Sequence, residues 1–133
     1  MVHLLVHLSL GLREHERSCL GRFGLSHAQA RALWALPPEE TTTIRALADS
    51  IRVDPSNLST ALRDLEERAL VVRTEFAHDR RAVAVRLTDE GVTVRRLLVD
   101  CLEPPAVASL APVDRERLLE LLREIDQRGR TGP

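Results

Sequence analysis

The chain has 133 residues, 44% apolar and 29% charged, a balance that fits one globular domain with a modest core and excludes a disordered chain. Aromatics make up only 2%, so the core has to be aliphatic. With a net charge of −1 and 19 basic residues that are all arginine, a generally adhesive polycation is excluded, and any contact with nucleic acid must come from a local cluster.

The opening Met1-Val2-His3-Leu4-Leu5-Val6 is apolar but lacks a basic leading segment and a small-residue cleavage site. Arg13-Glu14-His15-Glu16-Arg17 interrupts it too early for a membrane span, so a cytoplasmic protein without membrane contact is expected. Leu5, Leu8, Leu12 and Cys19 recur at helical spacing and predict a first helix from Val2 to Arg22, stopped by Gly24. Ser26 and Gln29 form a capping box for a second helix, whose Leu33 and Leu36 face inward before Pro37-Pro38 ends it.

Two short amphipathic helices follow, Thr43 to Ile51 and Pro55 to Ala69, split by Arg52-Val53-Asp54. On the second, Leu58, Ala61, Leu62 and Leu65 share one face, while Ser56, Thr60 and Arg63 point away with Asn57 and Ser59 on the flanks. Short hydrogen-bonding side chains with one arginine suit base edges and phosphates in a major groove. Asp54 is a good N-cap and Pro55 a good first helical residue, which presents the unpaired N–H groups of that helix to a phosphate backbone. Asp64 sets a negative charge among the phosphates unless it accepts from a cytosine amine. Arg45 and Arg52 are candidate phosphate clamps.

Leu70 to Arg73 and Val83 to Leu87 then read as a β-hairpin whose connecting loop carries Asp79-Arg80-Arg81. Val83, Val85 and Leu87 alternate with Ala84, Arg86 and Thr88, one face apolar and the other not. Arg73, Arg80, Arg81 and Arg86 against Glu75 and Asp79 leave a local surplus of two positive charges. A helix from Thr88 carries Val94, Leu97, Leu98, Cys101 and Leu102; Pro104-Pro105 breaks it, and a last helix runs from about Pro112 to Arg128. Both ends of the chain hold more apolar surface than a small core can cover, which predicts packing against a second copy.

Helix, turn, helix and a hairpin with a basic tip read as a winged helix-turn-helix. In this order the chain resembles the MarR family of bacterial transcription regulators. The matching pieces are Leu25-Ser26-x-x-Gln29-x-x-x-Leu33, Leu47-Ala48, Leu65-Glu66-x-x-Ala69-Leu70-Val71-x-Arg73, Asp79-Arg80-Arg81 and Leu87-Thr88-x-x-Gly91. The resemblance implies a mainly α fold with a small β-hairpin wing and with N- and C-terminal dimerisation helices. It implies one domain over 1–133: dimerisation helices at 1–24 and 102–133, a winged helix-turn-helix over 25–91 and a connecting helix over 88–102. It also implies that Arg81 enters a minor groove with Asp79 orienting its guanidinium, Arg80 and Arg73 lying alongside. A narrow A·T-rich groove, with its enhanced negative potential, favours such an arginine. Many family members carry Arg where this chain has Thr60 and Asp where it has Arg63, so the operator cannot be carried over from relatives. The family's aromatic effectors imply a pocket in which Phe23 and Trp34 are the candidate aromatics.

The expected function is a homodimeric DNA-binding repressor on a pseudo-palindromic operator, released by a small-molecule effector. Alternatives are a winged-helix protein-interaction module that has lost DNA binding, or a thiol- or metal-responsive sensor. Cys19 and Cys101, on apolar helical faces and far apart in sequence, are expected to be buried structural thiols and not a disulfide framework. His3 and His7, at i and i+4, are expected to be bystanders, with no metal and no cofactor bound. Neither a phosphate loop nor a nucleophile elbow appears, and no enzyme is expected.

Overall fold

The computed structural model describes residues 1–76 and 79–131, and of residues 76 and 79–81 the backbone alone. The chain divides into two units, Met1–Leu102 and Glu103–Pro133. The first holds α1 (Val2–Phe23), α2 (His27–Ala35), β1 (Thr42–Thr43), α3 (Ile44–Ile51), α4 (Pro55–Glu67), β2 (Val71–Phe76), β3 (Asp79–Leu87) and α5 (Asp89–Leu102). The second holds α6 (Pro105–Ala108) and α7 (Pro112–Arg130).

The helix ends follow from local chemistry. Gly24 closes α1 in the left-handed conformation, φ 61°, and the next N–H, of Leu25, returns to the Leu20 carbonyl at 3.1 Å. The capping box is formed in both directions: Ser26 Oγ accepts from Gln29 N–H at 3.2 Å, and Gln29 Oε1 accepts from Ser26 N–H at 2.9 Å. Thr43 caps α3 through Oγ1, which accepts from Ala46 N–H at 3.1 Å. Asp54 and Pro55 open α4 as predicted.

The core of the first unit is aliphatic. Leu33, Leu36, Leu47, Leu58, Leu62, Leu65 and Leu98 are all fully buried, Phe23 and Trp34 pack on the rim, and no buried polar side chain occurs among the described residues. Gly91 is required where α5 starts, because a Cβ there would run into the Leu70 carbonyl. Thr88 fastens the same junction: its N–H donates to Leu70 O at 3.1 Å, its Oγ1 donates to Ala69 O at 2.6 Å and accepts from Gly91 N–H at 3.0 Å. The Leu87-Thr88-x-x-Gly91 motif is thus the joint between the hairpin and α5.

The sheet is antiparallel, ordered β1-β3-β2, with Thr43 opposite Ala84, Val71 opposite Leu87 and Arg73 opposite Val85. Three sequence expectations change here. The short strand β1 is additional, too brief to show a period of its own. Asp79, Arg80 and Arg81, expected in the connecting loop, begin β3; their side chains lie outside the described residues. The alternation of β3 also departs from expectation. Val85 and Leu87 are buried, but Val83 is 48% exposed because the strand has run past the core, and Ala84 is buried because it sits mid-sheet between Thr43 and Thr74.

The cysteines require a further correction. Cys19 on α1 and Cys101 on α5 form a disulfide, with Cα atoms 5.9 Å apart. Their separation of 82 residues concealed the pairing, which exists only because α1 packs against α5. In the second unit, Pro105 does not merely break a helix but opens the single-turn α6, and Arg115 pairs with Glu103.

Candidate nucleic-acid interface

Helices α3 and α4 form the helix-turn-helix. Between them Arg52 takes a left-handed conformation, φ 53°, and its N–H returns to the Ala48 carbonyl, ending α3 sharply enough for Asp54 to start α4. Leu58, Ala61, Leu62 and Leu65 are buried, and Ser56, Asn57, Thr60 and Arg63 are exposed on the opposite face, with Ser59 half-buried between. Arg45 and Arg52 are exposed as well.

The hydroxyls of this face already hold protons in defined places. Ser56 Oγ donates to Asp54 Oδ1 at 2.6 Å and Thr60 Oγ1 donates to Ser56 O at 3.2 Å, which leaves lone pairs of both directed outward as acceptors. The Ser56 hydroxyl and then its N–H, with a smaller contribution from Asn57 N–H, hold the Asp54 carboxyl below its ordinary value. Asp54 therefore remains an anion and an N-cap at neutral pH.

Asp64 does not face the groove as the sequence suggested. It accepts from Gln29 Nε2 at 3.2 Å and is half-buried. One glutamine thus caps α2 with its oxygen and ties α4 to α2 with its nitrogen, and the charge expected to repel phosphate is turned inward. Arg73 is also placed differently from the rest: Nη2 donates to Ser59 O at 2.7 Å, and Nε lies 3.4 Å from Glu66, an ion contact without hydrogen-bond alignment. It pins β2 to α4.

Sequence reasoning missed a related pattern. Arg68 donates to Phe23 O at 3.0 Å and Gly24 O at 3.2 Å, at the end of α1. Arg31 donates to Ile51 O at the end of α3, and Arg95 to Trp34 O, 3.0 Å away at the end of α2. Three helices thus have terminal carbonyls, where the helix dipole is negative, met by a guanidinium from another element. An arginine at position 31, 68 or 95 looks in sequence like any solvent-facing one, so no linear signal marks them.

Phe23 and Trp34 are half-buried against the core, while a cavity of about 720 Å³ beside α1 is lined by Arg13, Glu16, Arg17, Leu20, Gly21, Leu25 and His27. His3 and His7 are exposed on α1, and no metal-binding cluster occurs among the described residues. Among the described residues, no helix is long and apolar enough to cross a membrane.

Residues 23–82, from the end of α1 through α4 and into β3, match the model of the MarR family. Over that stretch the chain is similar to the MarR family. The organic hydroperoxide resistance transcriptional regulator of Bacillus subtilis is 25% identical over 118 residues, 89% of this chain and 79% of that protein. Among solved structures, NadR in complex with 4-hydroxyphenylacetate superposes with a TM-score of 0.80 at 23% identity, covering 96% of this chain and 91% of that one. A MepR mutant from Staphylococcus aureus bound to an oligodeoxyribonucleotide gives 0.65 at 20% identity, covering 96% of each chain. The matched MarR relatives are transcriptional regulators and not enzymes. The molecule is a winged helix-turn-helix, with α4 the second helix of the pair and β2–β3 the wing.

Proposed function

We propose that this MarR-family regulator binds duplex DNA as a homodimer on a pseudo-palindromic operator and represses by occupying it. The α4 face supports this most directly. Ser56, Asn57, Thr60 and Arg63 stand exposed on a helix whose opposite face is buried and which Arg73 and Gln29 fasten in place, so the reading surface is preorganised. Arg45 and Arg52 flank it as phosphate contacts, with Arg80 and Arg81 serving the wing and Asp79 orienting Arg81. On this reading the protein is a regulator and not an enzyme, as its matched relatives are, and it acts in the cytoplasm, where the DNA is.

The dimer is proposed from exposed apolar surface. Val2, Leu4, Leu5, Val6, Leu8, Leu10 and Leu12 on α1 are each 48% exposed or more, and Leu119, Leu121, Leu122 and Ile125 on α7 are exposed too, faces that a second copy would cover. The complex of NadR with 4-hydroxyphenylacetate supports a small aromatic acid as effector class, with Phe23 and Trp34 as its candidate contacts. The test is retention of genomic duplex fragments at two salt concentrations. Retention that falls steeply with salt is expected, since each phosphate contact releases counterions. No retention at low salt would instead favour a protein-interaction module.

A further inference from the structure

The first turn of α4 has its protons already placed, and that decides which base edges it can meet. Asp54 Oδ1 accepts twice from one residue, from Ser56 N–H at 2.8 Å and from the Ser56 hydroxyl at 2.6 Å. The second distance is that of a hydroxyl bound to an anion, roughly twice as strong a bond as one between neutral partners. Asp54 stays charged at neutral pH, because the hydroxyl first and the N–H second hold its carboxyl below the ordinary carboxylate range. A neutral base carbonyl would have to draw the proton away from a carboxylate, so Ser56 Oγ offers only lone pairs outward. Thr60, one turn on, has the same sense, since its Oγ1 donates to Ser56 O at 3.2 Å. Arg63, exposed on the same face, is the opposite, with donors and no acceptor.

The ordinary role for a serine at this place is a phosphate contact, and the geometry opposes it. A phosphate needs donors, and both donors of Ser56 point at Asp54. The carboxylate itself occupies the place at the helix N-terminus where an outside anion would sit. The partners that a major groove offers to an acceptor are amino groups, N6 of adenine and N4 of cytosine. Every base pair shows one such group on one strand and a keto oxygen on the other, so an acceptor-only side chain tells the two strands apart.

We propose that Asp54 is a specificity-determining residue of α4: by holding the Ser56 hydroxyl proton it makes Ser56 an acceptor-only reader of an amino base, adenine or cytosine, at one base pair of each half-site. The proposal rests on the DNA-binding reading above and deepens it. Asp54 acts through Ser56. Thr60 adds a weaker demand of the same sense, because a neutral carbonyl holds its proton and releases it more readily.

The experiment uses the full chain, a retained genomic duplex and synthetic versions of it changed one base pair at a time. The pair read by Ser56 is the one whose preference Ser56→Ala abolishes. Exchanging the amino and keto strands at that pair should weaken the wild type about tenfold, the ordinary effect of one mismatched pair. An analogue carrying hydrogen in place of the amino group should weaken the wild type by a similar factor and Ser56→Ala not at all. In Asp54→Asn the capping oxygen remains and the charge is gone, so Ser56 can give its proton to a keto oxygen. The preference should then shrink to about twofold, at an unfolding midpoint that shows the cap retained. Guanine or thymine preferred at that pair, an analogue bound as tightly as the amino base, or a preference undiminished in a folded Asp54→Asn would each overturn the proposal while DNA binding stands. So would a Ser56→Ala loss equal on every duplex, which returns Ser56 to the phosphate backbone. The analogue comparison needs only the wild-type chain and decides the matter even where a variant is unstable. Retention of no duplex at low salt would remove the DNA-binding reading and this one with it.

Discussion

The DNA-reading lobe and the terminal helices carry similar numbers of leucines to opposite ends. From Leu25 to Leu98 the leucines are buried, Leu97 on α5 excepted, and the ends of the helices are closed by caps and arginines. In the first half of α1 and along α7 the same residue type at the same spacing lies open. Periodicity therefore tells which face of a helix is apolar but not what covers it: chain folded in the lobe, and a second copy, on our reading, at the ends.

The sharpest way to break this contrast is to make one substitution in both regions. Leu62→Ala removes a fully buried side chain and should cost about 2–5 kcal/mol of stability in chemical denaturation. Leu5→Ala, at 58% exposure, should leave the unfolding of the dissociated chain within about 0.5 kcal/mol while weakening the dimer in sedimentation. Equal losses of fold stability at both positions would mean that the end of α1 is covered by its own chain.

Next in size is the reading face. Arg63→Ala should weaken operator binding by about 1–3 kcal/mol and relax preference at one base pair per half-site, if the contact is to a base edge. Thermal unfolding should not move, since Arg63 is exposed and its face packs on nothing. A binding loss equal on every duplex tested would reassign Arg63 to phosphate.

Much of the lobe was legible because its signals are local. The Ser26/Gln29 box, the Asp54-Pro55 start, the Gly24 stop and the period of Leu58, Ala61, Leu62 and Leu65 each lie within one or two turns of chain. What escaped the sequence is what depends on distant partners: Asp64 meeting Gln29 across 35 residues, Cys19 meeting Cys101 across 82, and Arg68 reaching back 45 to Phe23. The charge of Asp64 and the sulfur of Cys19 were read correctly as chemistry and wrongly as geometry. The lengths of β2 and β3 escaped for another reason, since from Val83 towards its tip the hairpin leaves the core and its apolar alternation ends.

The arginine fasteners should register smaller effects. Arg68→Met keeps the stem and removes the donors to Phe23 O and Gly24 O; because Arg68 is exposed, water takes over part of that role and a loss of about 1 kcal/mol is expected in chemical denaturation. An unchanged stability would show those carbonyls to be equally well served by solvent.

The smallest effect separates the two regions by a single methyl group. Gly24 ends α1 at φ 61°, and Ala69 ends α4 at φ 57°, its N–H returning to Glu66 O at 2.9 Å while Leu70 N–H reaches Leu65 O at 2.9 Å. The two helix ends share one backbone conformation, but only the first has the residue suited to it. An L-residue held there is strained because its Cβ crowds the carbonyl, and glycine relieves that strain at some cost in unfolded-chain entropy. Ala69→Gly should therefore raise stability by about 0.5–1 kcal/mol, and Gly24→Ala should lower it by a similar amount, no neighbour standing within 4 Å of the added Cβ. Both are read from denaturation midpoints at unchanged m-value. Should Ala69→Gly destabilise instead, its methyl group must contribute packing that outweighs the strain, and the α4–β2 joint would be held by contact more than by backbone geometry.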